Sequence, residues 1–112
     1  MTDATTTVAA LRSRVATFVR ARDWEKFHRL SNLAKAISVE AAELLELFQW
    51  RGESDPLDVR LRTRAEEELA DVVIYGVSLA DVLEVDLSDA VLAKLKKDEA
   101  KYPADRYRGR AR

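Results

Sequence analysis

Residues 69–83 read LADVVIYGVSLADVL, and in this stretch Val72, Val73, Ile74, Tyr75, Val77, Leu79 and Ala80 cover nearly every side of a helix. A helix that is apolar all round has to be buried on more than one side. No two-residue alternation is sustained anywhere in the chain, and its 112 residues include three glycines and two prolines, so helix is the default reading and strand is expected almost nowhere. Moving outward, the helix that carries this stretch opens at Pro56 or Asp58 and runs to Leu83 or Glu84. The GESDP turn, 52–56, separates it from a preceding helix placed at Asn32 to Trp50, with Ser31 or Asn32 as its cap. Val8, Leu11, Val15, Phe18 and Val19 recur at spacings of three and four and form the apolar face of a first helix, Val8 to about Arg22. A fourth begins at Asp86 or Ser88 and stops near Lys101, because Pro103 disfavours helical geometry in the residue before it. The expected fold is all-α: a four-helix bundle in one domain, 1–112, with its core at about 8–102 and a basic tail at 103–112. Four helices of this size cover one broad face of each other, so the surplus apolar surface of 69–83 is expected to meet a second subunit, in a dimer or a dimer of dimers.

Composition excludes several classes of function. The chain contains no cysteine, which removes disulfide frameworks, thiolate metal sites and cysteine nucleophiles. The longest nearly apolar run, Val72 to Ala80, is far short of the roughly 20 residues of a membrane span, and MTDATTTVAA has no signal-peptide pattern, so a cytoplasmic protein is expected. Nineteen basic residues against twenty acidic ones give a net charge of −1, unlike a protein whose main work is neutralising a nucleic-acid polymer. The balance is uneven, with five basic residues and one acid in 101–112. There is no GxxxxGK[ST] and no glycine-rich loop to cradle phosphates, so any phosphate must be held by metals or by Lys and Arg side chains. Lys94, Lys97 and Lys101 lie on one side of the fourth helix and suit that task, although cations are favoured near a helix C-terminus in any case.

The most informative polar residues interrupt apolar stripes. Leu33, Ile37, Leu44 and Leu47 line one side of the second helix, and Glu40 stands where that series wants a hydrocarbon. Glu43 follows about 60° round and about 4.5 Å along, so the two carboxylates project together. Glu68 and Asp71 repeat the spacing on the flank of the Leu69, Val72, Gly76 stripe, with Tyr75 one turn further. Antiparallel packing would bring both pairs to one place. Unit charges 4 Å apart repel by about 1 kcal/mol in water and several times more at a partly buried site. Either raised pKa values or hard divalent cations must compensate, and all-oxygen donor sets suit Mg²⁺ or Mn²⁺. A single ExxE reads best as a solvated face, but two pairs on successive, otherwise apolar helices favour a metal site. Di-iron bundles need Glu-x-x-His on two helices, whereas the single histidine here, His28, lies outside both pairs.

Glu40-Ala-Ala-Glu43, 24 intervening residues and Glu68-Leu-Ala-Asp71 occur together with RDWEKFH (22–28), SNLAKAI (31–37), LLELFQW (44–50), ELADVVIY (68–75) and KYP (101–103). In this order they resemble the all-α MazG-like nucleoside triphosphate pyrophosphohydrolases, in particular their small, dCTP-hydrolysing branch, over roughly 18–107. The resemblance implies hydrolysis of a nucleoside triphosphate to the monophosphate and pyrophosphate, most readily of dCTP or a modified pyrimidine, as nucleotide-pool house-cleaning. It implies Mg²⁺ held by Glu40, Glu43, Glu68 and Asp71, with Glu43, and Glu40 beside it, orienting or deprotonating the attacking water. Trp24, His28, Trp50 and Tyr75 match positions around the base and sugar, and Lys94 and Lys101 match basic positions near the phosphates. Many relatives carry asparagine where this chain has Asp98, and an ionised aspartate accepts hydrogen bonds but donates none. The same chemistry on dUTP or a damaged purine triphosphate, and a noncatalytic helical module that dimerises and binds a partner, are the alternatives.

Overall fold

The computed structural model describes residues 1–110; the last two residues of the predicted tail lie outside the described residues. The elements are α1 (Val8–Ala21), a single 3₁₀ turn (Glu25–Phe27), α2 (Leu30–Glu46), α3 (Val59–Leu83), α4 (Leu87–Lys101) and a one-turn α5 (Ala104–Tyr107). No strand occurs among the described residues. Three helices start on side-chain caps: Thr7 Oγ1 accepts from Ala10 N at 3.1 Å, Asp58 Oδ1 from Leu61 N at 2.8 Å, and Asp86 Oδ1 from Asp89 N at 2.9 Å. Each satisfies an amide that the first helical turn leaves without a partner.

The second helix differs from its predicted span at both ends. It starts at Leu30 on an extended Arg29 that offers no side-chain cap, and Asn32, inside the first turn, uses its Nδ2 to donate to the Phe27 carbonyl at 3.1 Å. The cap chemistry read into Ser31 and Asn32 thus ties the 3₁₀ turn to the helix instead. At the far end the helix closes at Glu46, because Leu47 and Phe48 donate to carbonyls only three residues back, at 3.2 and 2.9 Å. Phe48 to Trp50 therefore belong to the turn that the Gly52 N to Asp55 Oδ2 bond of 2.8 Å continues.

Helices α2 and α3 pack face to face as the central hairpin, and α1 lies against α3. Leu33, Val19, Val77 and Ala80 are the buried apolar residues, joined by the buried Ser78. Arg12 fastens α1 to the end of α3: its Nη2 and Nε reach Asp81 Oδ1 at 2.6 and 2.9 Å, and its Nη1 donates to the Val85 carbonyl at 2.8 Å. Glu84, at φ 57°, ends α3 in the left-handed region and turns the chain into α4. That helix then leaves the other three, and none of its residues is buried. The radius of gyration, 17.0 Å, is correspondingly larger than the roughly 13 Å of a compact chain of this length. The four long helices expected from the sequence are present, but within one chain only three of them pack together. Val73 and Ile74, in the stretch whose surplus apolar surface is expected to meet a second subunit, are 45% and 40% exposed within the chain, and Val91, Leu92 and Leu95 of α4 are exposed too. No helix among the described residues is long and apolar enough to cross a membrane.

Candidate functional site

The hairpin turns sequence spacing into a site. Antiparallel α2 and α3 bring Glu40, Glu68 and Asp71 together, with one carboxylate oxygen of each within 4.8 Å of the others. All three are half-buried. Glu40 Oε2 and Glu68 Oε2 are closed off from solvent and have no hydrogen-bond partner among the described residues. Buried acceptors without a donor are costly, and both belong to residues of the converging trio. Loss of hydration raises the Glu40 carboxyl to about 7, reinforced by the neighbouring Glu43 and then Asp71. Glu68 is raised as well, again by burial first and the Glu43 carboxyl second. Glu43 itself is exposed and stands beside the trio rather than within it. A hard divalent cation suits three converging carboxylates.

One helical turn away, α2, α3 and the segment around the 3₁₀ turn form a pocket of about 260 Å³ lined by Trp24, Phe27, His28, Asn32, Leu33, Ala36 and Tyr75. Ala36 precedes Glu40 by four residues and Tyr75 follows Asp71 by four. In an antiparallel pair these offsets coincide, so the pocket opens about 6 Å along the hairpin from the carboxylates. Trp24 is held by an edge-to-face contact with Phe18 at 5.7 Å. Asp23, at φ 54°, makes the turn that carries Trp24 out of α1.

The MazG-like family model matches residues 35–111 of this sequence. The chain belongs to the MazG-like family. This MazG-like chain is 42% identical to dCTP pyrophosphatase 1 of Homo sapiens over 110 residues, which cover 95% of the chain and 65% of that protein. It is 41% identical to dCTP pyrophosphatase 1 of Bos taurus, covering 94% of the chain and 64% of the relative. The chain thus spans slightly less than two thirds of the curated relatives it matches. A crystal structure of a pyrophosphatase from Archaeoglobus fulgidus superposes with a TM-score of 0.75 at 43% identity, covering 83% of this chain and 89% of that one.

The remaining candidates of the MazG-like chain lie elsewhere. Trp50 is 88% exposed in the turn after α2 and does not join Trp24, His28 and Tyr75. Lys94, Asp98 and Lys101 line a separate cleft of about 410 Å³ on α4, with Tyr102, Tyr107 and Arg110 opposite. Lys97, on the same side of α4, is not among its lining residues. Asp98 forms an ion pair with Lys94 one turn earlier, so its acceptor-only carboxylate is taken up within the helix. Sequence reasoning missed Phe27, Asn32 and Ala36 in the pocket and Tyr107 and Arg110 in the cleft. Ala36 was recoverable from its four-residue offset to Glu40. Asn32, four residues earlier on the same face, was recoverable in the same way, whereas Phe27 was not, because its place depends on how the 3₁₀ turn sits against α2.

Proposed function

We propose that the protein is a Mg²⁺-dependent nucleoside triphosphate pyrophosphohydrolase that adds water across the α–β phosphoanhydride to release a nucleoside monophosphate and pyrophosphate, with dCTP or a modified pyrimidine deoxynucleotide as substrate. The observation that carries this reading is adjacency: an aromatic pocket, which α2 and α3 share with the 3₁₀ segment before them, lies one helical turn from a cluster of hard oxygen donors on those two helices. The relatives named dCTP pyrophosphatase support the base.

Glu40, Glu68 and Asp71 would hold the cation, with Glu43 completing the set from the neighbouring turn. When bound, Mg²⁺ supplies charge neutralisation of the triphosphate and a water of lowered pKa. Around it the chain's own groups divide the work. Trp24 and Tyr75 present aromatic faces to the base, and His28 offers a ring nitrogen to its edge or to the sugar. Glu43, the most exposed of the four acids, accepts the proton of the attacking water at a carboxylate oxygen. Mn²⁺ fits the same donors. The protein acts as a homo-oligomer, whose second copy covers the apolar surface that α3 and α4 leave exposed in one chain.

Purified protein screened with Mg²⁺ against the common and modified deoxynucleoside triphosphates, with monophosphate and pyrophosphate both quantified, tests the proposal. Stoichiometric release of the two products, fastest from dCTP or a 5-substituted dCTP, is the expected result. Preference for dUTP or a damaged purine triphosphate would keep the chemistry and overturn the base. Absence of turnover with every triphosphate would favour a noncatalytic helical module.

A further inference from the structure

The α4 cleft is completed by the segment that follows Pro103. After Pro103 the chain makes one helical turn, α5, and Tyr107 packs edge-on against Tyr102 with ring centroids 5.2 Å apart, which folds the segment back beside α4. Arg108 at φ −59°, ψ 121° and Gly109 at φ 74°, closed by Arg110 N donating to the Tyr107 carbonyl at 2.9 Å, form a type II turn. Such a turn needs a residue that tolerates positive φ at its third position. Its product is Arg110, which returns to the cleft and lines it with Lys94 and Lys101.

The charge in the cleft is one-sided. Asp98 is the single carboxylate in its lining and is paired with Lys94. Among the described residues no carboxylate lies within ion-pair distance of Lys101 or Arg110. Two cations facing one concave space without a counter-charge attract a polyanion, and a guanidinium grips phosphate oxygens in pairs. We propose that Arg110, positioned by the Tyr107–Tyr102 contact and the Gly109 turn, is a polyphosphate-binding residue that holds the pyrophosphate end of the triphosphate. Residues 103–110 are then part of the binding apparatus. This assignment rests on the triphosphate-hydrolase reading, so the test has an arm that does not depend on turnover.

Inorganic tripolyphosphate is titrated calorimetrically into the full chain in EDTA, where cation-bridged binding at the carboxylates is suppressed. Arg110→Ala is expected to weaken binding about tenfold, the worth of one charge-assisted contact, and Arg110→Lys to recover part of it. Gly109→Ala should weaken it severalfold, because a β-carbon resists a φ of 74°. Tyr107→Ala should do the same, while Tyr107→Phe, which keeps the ring contact, should not. In turnover, Arg110→Ala should raise KM for the triphosphate about tenfold with kcat changed less than threefold. Wild-type tripolyphosphate affinity and KM in both Arg110→Ala and Gly109→Ala, with dichroism unchanged, would overturn the assignment while leaving the hydrolase reading intact. Weakened tripolyphosphate binding with an unchanged KM would likewise overturn it, showing a polyphosphate site apart from the substrate. Inactivity of the wild type with every triphosphate would refute the hydrolase reading, and the EDTA arm would still decide the cleft.

Discussion

Glu40 interrupts an apolar stripe, and its price in the metal-free fold is visible in the carboxyl held up to about 7. A carboxyl whose folded pKa lies above its ordinary value binds its proton more tightly in the folded chain. The stability this gives is complete below about 4.5, the ordinary value, and is lost as the pH rises through about 7. Glu68 is raised as well and acts in the same direction. In EDTA, melting temperature should therefore fall between those pH values, and millimolar Mg²⁺ should restore it at neutral pH. Glu40→Gln should flatten the pH profile and abolish the Mg²⁺ effect; a wild-type profile in that variant would show that the three carboxylates do not act together. For catalysis, Asp71→Ala and Glu43→Ala should fold normally and lose a thousandfold or more in rate, since each removes several kcal/mol of transition-state stabilisation. Retention of a tenth of the wild-type rate by either, a loss of only about 1.4 kcal/mol, would contradict its role.

Between elements, the contact with the most specific geometry is that of Arg12, which spans α1, Asp81 near the end of α3 and the Val85 carbonyl beyond it. Its side chain is 22% exposed and that of Asp81 39%, so solvent screens part of the pair's attraction. Arg12→Ala should cost about 1–2 kcal/mol, mostly from the carboxylate and carbonyl left without a donor, and lower the melting temperature by about 5 °C. Leu33→Ala is the harsher change. Leu33 is 2% exposed and also lines the aromatic pocket, so a loss of about 2–5 kcal/mol should come with a weakened nucleotide KM. Unfolding curves in urea would separate the two variants, with the Arg12 variant keeping wild-type KM.

For the whole molecule, the open question is what completes the site. Trp50 stands in the turn beyond the far end of α2 from Trp24 and His28, a helix of 17 residues or about 25 Å, and one chain leaves it exposed. In an assembly, Trp50 of one copy should close the pocket of another. Mixing Trp24→Ala with Trp50→Ala under conditions of subunit exchange should then recover activity that neither variant has alone. No recovery despite demonstrated exchange, or a fully active monomer by light scattering, would refute the shared pocket.

Local chemistry was legible from the residues themselves. The helical character, helix starts within two residues of Asp58 and Asp86, and the pairing of Glu40 with Glu43 and Glu68 with Asp71 depend only on local sequence and on spacing along one helix, where a rise of 1.5 Å per residue sets distances without reference to the rest of the chain. The stripe broken by Glu40 also announced a carboxylate site before any packing was known. Three features required the tertiary structure. Packing of the hairpin in register decided that Glu40, Glu68 and Asp71 converge, with the exposed Glu43 beside Glu40 and Glu68. The 3₁₀ turn decided that Phe27 joins the pocket, and the Tyr102–Tyr107 contact decided that Arg110 lines the same cleft as Lys101. Each of these depends on side chains distant along the helix axis or separated by a turn, whose meeting is set by the competition of contacts across the fold and not by the period of any single element.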